Sequence, residues 1–147
     1  SASSRRVAAS LPARLADTPD QLQRLLGALA DAGVDIFHCS TRRYWQPAFE
    51  GEARSLAAWT RHLSGKPVIA VGSASLSNEF KSALGKVRAE IAPEDIARMA
   101  EGLERGDYDL IALGRALIAN PDWVQLVQAG RIDALRTFTK DMLDTLA

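Results

Sequence analysis

Residues 109–123 read DLIALGRALIANPDW, and this stretch decides the fold class. Its apolar run, residues 110–113, has the length of a buried strand, and Gly114 ends it. Residues 65–73, GKPVIAVGS, repeat the arrangement, with an apolar run followed by Gly72 and Ser73. A short apolar run bounded by turn residues and followed by a helical segment is typical of parallel sheets. The two stretches therefore predict two neighbouring βα units.

Two further apolar runs extend this pattern toward the N-terminus. Residues 34–37 (VDIF) predict a third strand, and the short, alanine-rich run at residues 7–9 predicts a fourth. Together they predict an α/β fold of about four βα units, with parallel strands whose carboxyl ends after residues 71 and 113 lie side by side.

The segments between the runs have helical periodicity. Residues 18–21 (TPDQ) form a predicted capping box with proline at the first helical position, and leucines follow at i, i+3, i+4 and i+7 until Gly33. Three more helices are predicted from apolar spacing and from proline or glycine boundaries: from Leu56 to Gly65, from Pro93 to Gly106 and from Asn120 to Gly130. We expect one or two further helices over residues 132–147.

Composition excludes several classes of protein. The 18 basic and 18 acidic residues cancel, so bulk charge does not favour nucleic acid or an anionic membrane. The single cysteine, Cys39, allows no internal disulfide and no thiolate metal site, and no apolar run approaches the ~18 residues of a membrane span. We expect one cytoplasmic domain over residues 1–147, without a bound metal. Ser1 in place of an initiator methionine indicates a trimmed or processed chain.

Loop lengths point to the edge of the sheet where a ligand would bind. The connections from helix to strand are short, whereas those from strand to helix run from about 39 to 51 and from about 72 to 92. In parallel sheets the loops at the carboxyl ends of the strands form the ligand site. A glycine there lets a ligand approach the backbone, and an arginine adds a planar cation suited to phosphate. The alternative is that Gly114 makes a turn and Arg115 pairs with a carboxylate.

The same stretches resemble a known family. Residues 65–73, residues 109–123 and the trailing GRIDALR at 130–136 look like the last two βα units of the Old Yellow Enzyme family, FMN-dependent oxidoreductases that use NAD(P)H. Residues 34–45 (VDIFHCSTRRYW) resemble the sixth unit of one branch of that family, and the likeness runs from about residue 13 to residue 147. It implies that the chain is the C-terminal half of a (β/α)8 TIM barrel.

The resemblance also implies roles for individual residues. Gly72 and Ser73 would contact the phosphate and ribityl end of FMN, and Gly114 and Arg115 would hold the phosphate. Arg6, or Arg5 in its place, is the candidate for the arginine that faces the flavin pyrimidine. The family's substrate-anchoring and proton-donating residues belong to the N-terminal half of the barrel, so no catalytic residue is assigned in this chain.

Several other side chains have two interpretations. Tyr44 and Trp45 either surround the substrate above the flavin or pack their loop onto the barrel rim, and Arg42 and Arg43 either steer a phosphorylated nicotinamide cofactor or form a solvated pair. For the remaining candidates a structural role is favoured over a catalytic one: His38, His62, Cys39, Trp59 and Trp123.

The function expected from the sequence is that of an ene-reductase, which takes hydride from NAD(P)H through FMN and reduces activated alkenes such as α,β-unsaturated carbonyl compounds. This chain would supply the phosphate-binding half and pair with the N-terminal half of the barrel, present as a separate chain or a missing segment, and we expect an oligomer. The alternative is a non-catalytic half-barrel that binds a phosphorylated ligand and pairs with another chain.

Overall fold

The computed structural model describes residues 14–75 and 93–145. Within them, helices and parallel strands alternate, and the three strands form one sheet in chain order. The elements are α1 (Pro19–Asp31), β1 (Phe37–Ser40), α2 (Leu56–Ser64), β2 (Val68–Val71), α3 (Pro93–Glu104), β3 (Leu110–Ala112), α4 (Arg115–Ala119), α5 (Trp123–Gln128) and two 3-10 helices, Ile132–Ala134 and Lys140–Thr145. The mixed α/β class and the parallel pairing of β2 with β3 are confirmed. The strand predicted at residues 7–9 lies outside the described residues.

Strand β1 begins three residues later than the apolar pattern predicts. The N–H of Val34 donates to the carbonyl of Leu29 at 3.1 Å, so it closes the end of α1 and is not available to the sheet. The sheet bonds begin at Phe37, whose N–H donates to the carbonyl of Pro67 at 3.0 Å. The prediction of a strand over 34–37 was therefore wrong in its position, and β3 is one residue shorter than the predicted 110–113.

The helix boundaries follow local signals. The Thr18 hydroxyl oxygen accepts from the N–H of Gln21 at 3.2 Å, as predicted, while the Gln21 side chain accepts from the N–H of Asp17 rather than Thr18. Helix α2 begins behind Ser55, whose hydroxyl oxygen accepts from the N–H of Ala58, and ends at Gly65 in the left-handed conformation. Both predicted helices are confirmed.

The sheet has one covered face and one open face. Phe37, Cys39, Val68 and Ala70 are buried on the covered face, and the Cys39 thiol donates to the Thr60 hydroxyl of α2 at 3.4 Å. The described helices leave the other face open. It carries two rows of side chains across the three strands: His38, Ile69 and Leu110 form one row, and Ser40, Val71 and Ala112 form the other. Leu110 is 55% exposed there. Among the described residues, this face of the sheet is therefore uncovered and partly apolar.

Helix α3 is closely packed against Tyr108, in the loop that leads to β3. The buried Tyr108 hydroxyl donates to the carbonyl of Met99 at 3.0 Å. At Gly102, in the last turn of the helix, a Cβ atom would overlap the Tyr108 phenol ring. Glycine is therefore needed there for close packing, which outweighs its low helix propensity.

The C-terminal region departs most from the sequence-based expectation. The short helix α4 was not predicted, and α5 begins at Trp123 rather than Asn120. Where one or two helices were expected over residues 132–147, the described residues form two short 3-10 helices. The reason is Asn120, which is fully buried. Its amide exchanges two hydrogen bonds with the backbone of Arg136, at 2.7 and 2.9 Å, and so holds that segment extended.

None of the helices in residues 14–75 and 93–145 is long and apolar enough to cross a membrane.

Candidate functional site

The carboxyl ends of the strands bring the predicted phosphate residues to one edge of the sheet. β2 and β3 are parallel, and Val71 pairs with Ala112. Gly72 follows the first of these directly, and Gly114 lies two residues beyond the second. Because β2 and β3 are parallel neighbours about 4.8 Å apart, the two glycines lie beyond the same ends of adjacent strands.

Gly72 and Ser73 are bound tightly to the loop that follows β1. The Gly72 carbonyl accepts from the N–H of Tyr44 at 3.0 Å, and the Ser73 hydroxyl donates to the carbonyl of Arg42 at 3.0 Å. Gly72 is buried with a φ of +143°, and a Cβ atom there would overlap the backbone carbonyl of Thr41. Glycine at this position is therefore explained by the contact between the two loops. The role of both residues toward FMN stays a prediction.

Gly114 has a different environment. It is exposed, precedes α4, and a Cβ atom built on it would meet no heavy atom within 4 Å. Packing among the described residues does not require a glycine there, and the space beside its backbone is open to a ligand. Arg115, the first residue of α4, is half-buried at the same edge.

Tyr44 and Trp45 both contact α3. Tyr44 is 3% exposed, and its hydroxyl donates to the Asp95 carboxylate at 3.0 Å. Trp45 packs edge-on against the Tyr44 ring, and the Arg98 guanidinium lies 4.9 Å from the centre of the indole. Packing of the loop, one of the two interpretations, accounts for these contacts. Contact of either residue with a substrate stays a prediction.

The buried carboxylate of Asp95 is a feature that sequence reasoning missed. Besides Tyr44, it accepts from the N–H of Ser75 at 2.6 Å and from Arg98 at 2.8 Å. Burial raises the pKa of Asp95, and these hydrogen bonds, with the charge of Arg98, oppose the rise. Ser75 in turn accepts from the Trp123 indole N–H at 3.0 Å. The network ties the loops after β1 and β2 to α3 and α5. Only the pair of Asp95 and Arg98, three residues apart on α3, is local in sequence, and no local pattern signals the bonds to Tyr44 and Ser75.

The remaining candidates differ in burial. Cys39 is buried, and burial raises the pKa of its thiol, which disfavours the reactive thiolate. Trp59 and Trp123 are buried, as predicted, whereas His38 and His62 are exposed. No group of three or more metal-binding side chains occurs within the described residues. Arg6 lies outside them.

Comparison with known proteins adds no assignment to this geometry. No protein-family model matches the sequence, and no curated protein is significantly similar to it.

Proposed function

We propose that this chain is the flavin-phosphate half of an FMN-dependent ene-reductase, the C-terminal half of a (β/α)8 barrel that works together with an N-terminal half. The resemblance of its strand ends to the Old Yellow Enzyme family suggests the activity. Two features of the described residues support it: the open space beside Gly114 and the open face of the sheet.

The residues present fit a phosphate at the carboxyl edge. Gly114 leaves room beside its backbone that any other residue would partly fill with its Cβ atom. Arg115 follows directly, and a guanidinium group binds phosphate oxygens with two parallel hydrogen bonds. Gly114 carries the proposal because the unfilled space beside it lies at the carboxyl edge of the sheet and directly before Arg115, whereas Gly72 is explained by Thr41.

The open face of the sheet supports a missing partner. Leu110 is 55% exposed and lies in one row with Ile69 and His38. In a closed barrel this face would be covered by side chains from the other strands. We therefore take the N-terminal half of the barrel, on a separate chain or segment, as the partner of this face.

When bound, FMN would supply the relay of hydride from NAD(P)H to the β-carbon of an activated alkene. The role of this chain would be to hold and orient FMN. Arg115 and the Gly114 backbone would bind the phosphate. The hydrogen bonds from Tyr44 to Gly72 and from Ser73 to Arg42 would keep the adjacent loop rigid, so that the site is formed before the ligand arrives. Proton donation and substrate anchoring would come from the N-terminal half.

The alternative function is a non-catalytic half-barrel that binds a phosphorylated ligand and pairs with a second copy of itself. The same open face favours it, because either a copy or an N-terminal half would cover Leu110.

One experiment separates the two functions. The chain is mixed with FMN, with and without a separately produced N-terminal half, and NADPH-dependent reduction of cyclohexenone is measured. We expect no turnover by the chain alone and turnover by the mixture. A colourless dimer that binds no FMN would reject the enzyme in favour of the module. Robust turnover by the chain alone would show that the catalytic residues are within it.

A further inference from the structure

A second site lies beside the carboxyl end of β1. A cleft of about 310 Å³ is lined there by three arginines, Arg14, Arg42 and Arg43, together with the hydroxyl residues Ser40 and Thr41. We call it the arginine cleft. Its other lining residues are neutral, and several of them, such as Leu15 and Phe49, are apolar. The cleft therefore concentrates three positive charges, although the whole chain has a formal charge of zero.

The three arginines lack carboxylate partners in the part of the chain that the structure describes. None of them has an aspartate or glutamate oxygen within 4.0 Å there, whereas Arg61 and Arg98 each have one carboxylate partner and Arg105 has two. Grouped like charges without counter-charges repel one another and lower stability. A bound anion would remove that cost.

The backbone positions two of the arginines. The carbonyl of Arg42 accepts from the Ser73 hydroxyl at 3.0 Å, and that of Arg43 accepts from the N–H of Gln46 at 3.2 Å. Tyr44, the next residue, is anchored to Gly72. The arginine cleft is thus fixed to the same edge of the sheet as the residues proposed to hold FMN.

A larger cleft of about 440 Å³ along α3 is a weaker candidate for an anion site. It also contains three arginines, but Arg98 pairs with Asp95, Arg105 pairs with Asp107, and Arg54 lies over the Trp59 ring at 5.1 Å. Their charges are already compensated or engaged, so this cleft offers less to an incoming anion.

We propose that the arginine cleft is a subsite for a phosphomonoester group. Guanidinium groups match the geometry of phosphate oxygens, and the apolar walls suit the organic body that carries the phosphate. A volume near 310 Å³ is at the lower end for a small-molecule site, which suits one end of a dinucleotide. On the function proposed above, on which this identification of the ligand rests, the ligand is NADPH, held by its 2′-phosphate, which NADH lacks.

The test measures binding without activity. The 147-residue chain is titrated with NADPH and NADH by nicotinamide fluorescence, and with inorganic phosphate by calorimetry. We expect NADPH to bind roughly tenfold more tightly than NADH, the effect of one charge-assisted phosphate contact. Arg43→Gln and Arg42→Gln should each remove most of that difference. Arg24→Gln, which removes an exposed arginine from α1, is the matched control and should preserve it.

The outcomes are distinct. Equal binding of NADPH and NADH, or a preference that the Arg42 and Arg43 variants retain, overturns NADPH as the ligand. Binding of inorganic phosphate alone, lost in both variants, supports the phosphomonoester subsite and assigns it a ligand other than NADPH. Absence of phosphate and nucleotide binding overturns the subsite altogether.

FMN titration of the same variants keeps this proposal separate from the proposed function. If FMN binding is lost in Arg115→Ala and kept in Arg43→Gln, the flavin binds at Arg115 and not in the arginine cleft. The cleft is then judged by the nucleotide and phosphate titrations alone. If FMN does not bind but phosphate binds through Arg42 and Arg43, the function fails and the cleft stands.

Discussion

At the scale of single residues, Gly72 and Gly114 end adjacent strands, yet their surroundings differ. A Cβ atom at Gly72 would overlap the Thr41 carbonyl, and the φ there is positive. A Cβ atom at Gly114 would meet no heavy atom of the described residues within 4 Å. Sequence alone treats the two as equivalent, because each is a glycine after an apolar run. The structure separates a glycine that packing requires from one that packing leaves unexplained.

Gly72→Ala should destabilise the protein by roughly 2 kcal/mol or more, because the methyl group meets the Thr41 carbonyl and an L-residue is strained at this φ. The free energy of unfolding is measured by urea denaturation. Gly27→Ala is the control, since Gly27 lies in α1 with no atom within 4 Å of its added Cβ. It should be neutral or stabilising by up to about 1 kcal/mol. Equal stability of the two variants would contradict the predicted clash.

Arg115→Ala should weaken FMN binding roughly tenfold to hundredfold, which corresponds to about 1.5–3 kcal/mol for a hydrogen bond to a charged group. Arg115→Lys should restore only part of the affinity, because lysine lacks the planar fork of arginine. Quenching of flavin fluorescence measures both, and Arg131→Ala, at an exposed position beyond α5, is the control. Unchanged affinity in Arg115→Ala would show that the Gly114-Arg115 pair is a structural turn.

At the scale of elements, Tyr108 and the Asp95 network connect α3 to the loops that flank the strands. Burial raises the pKa of Tyr108 from 10.0 to about 12, because the phenolate would lose its hydration. Burial, followed by the charge of Asp95, also raises the pKa of Tyr44. Both phenols therefore favour the protonated form in the folded state.

The Tyr108 shift predicts a loss of stability in alkali. Between about pH 10 and about pH 12 the unfolded chain releases the Tyr108 proton while the folded chain retains it, so the free energy of unfolding falls as the pH rises. Tyr108→Phe should cost about 1 kcal/mol at pH 7, through loss of the hydrogen bond to Met99. The difference in free energy of unfolding between wild type and variant, measured by urea denaturation, should then become smaller as the pH rises above 10. A constant gap from pH 8 to pH 12 would show that Tyr108 titrates normally. Tyr44 is present in both proteins and cancels.

At the scale of the whole molecule, we expect the chain to associate through the open face of the sheet, as proposed above. Burying one leucine side chain contributes about 1.5–3 kcal/mol, so Leu110→Lys should weaken pairing with the N-terminal half at least tenfold. Leu103→Lys on α3, where the leucine is 41% exposed, is the matched control and should leave pairing intact. Sedimentation velocity of the mixture measures both. Equal weakening by the two variants would show that the partner does not use this face.

The sequence by itself determined the α/β class, the parallel order of the strands, the strand at 68–71 and the limits of α1 and α2. Its signals for these are local: a cap such as Thr18 or Ser55, a glycine stop, and an apolar run of the right length. Only the tertiary structure decided where β1 begins, because Phe37 is the first residue whose N–H pairs with the neighbouring chain segment, at the carbonyl of Pro67. Contacts between separate segments likewise formed the clamp of Asn120 on Arg136, the bonds of Asp95 to Tyr44 and Ser75, and the approach of Arg14 to Arg42. Each of these depends on which backbone and side-chain groups the folded chain brings together, and a short window of sequence does not contain both partners.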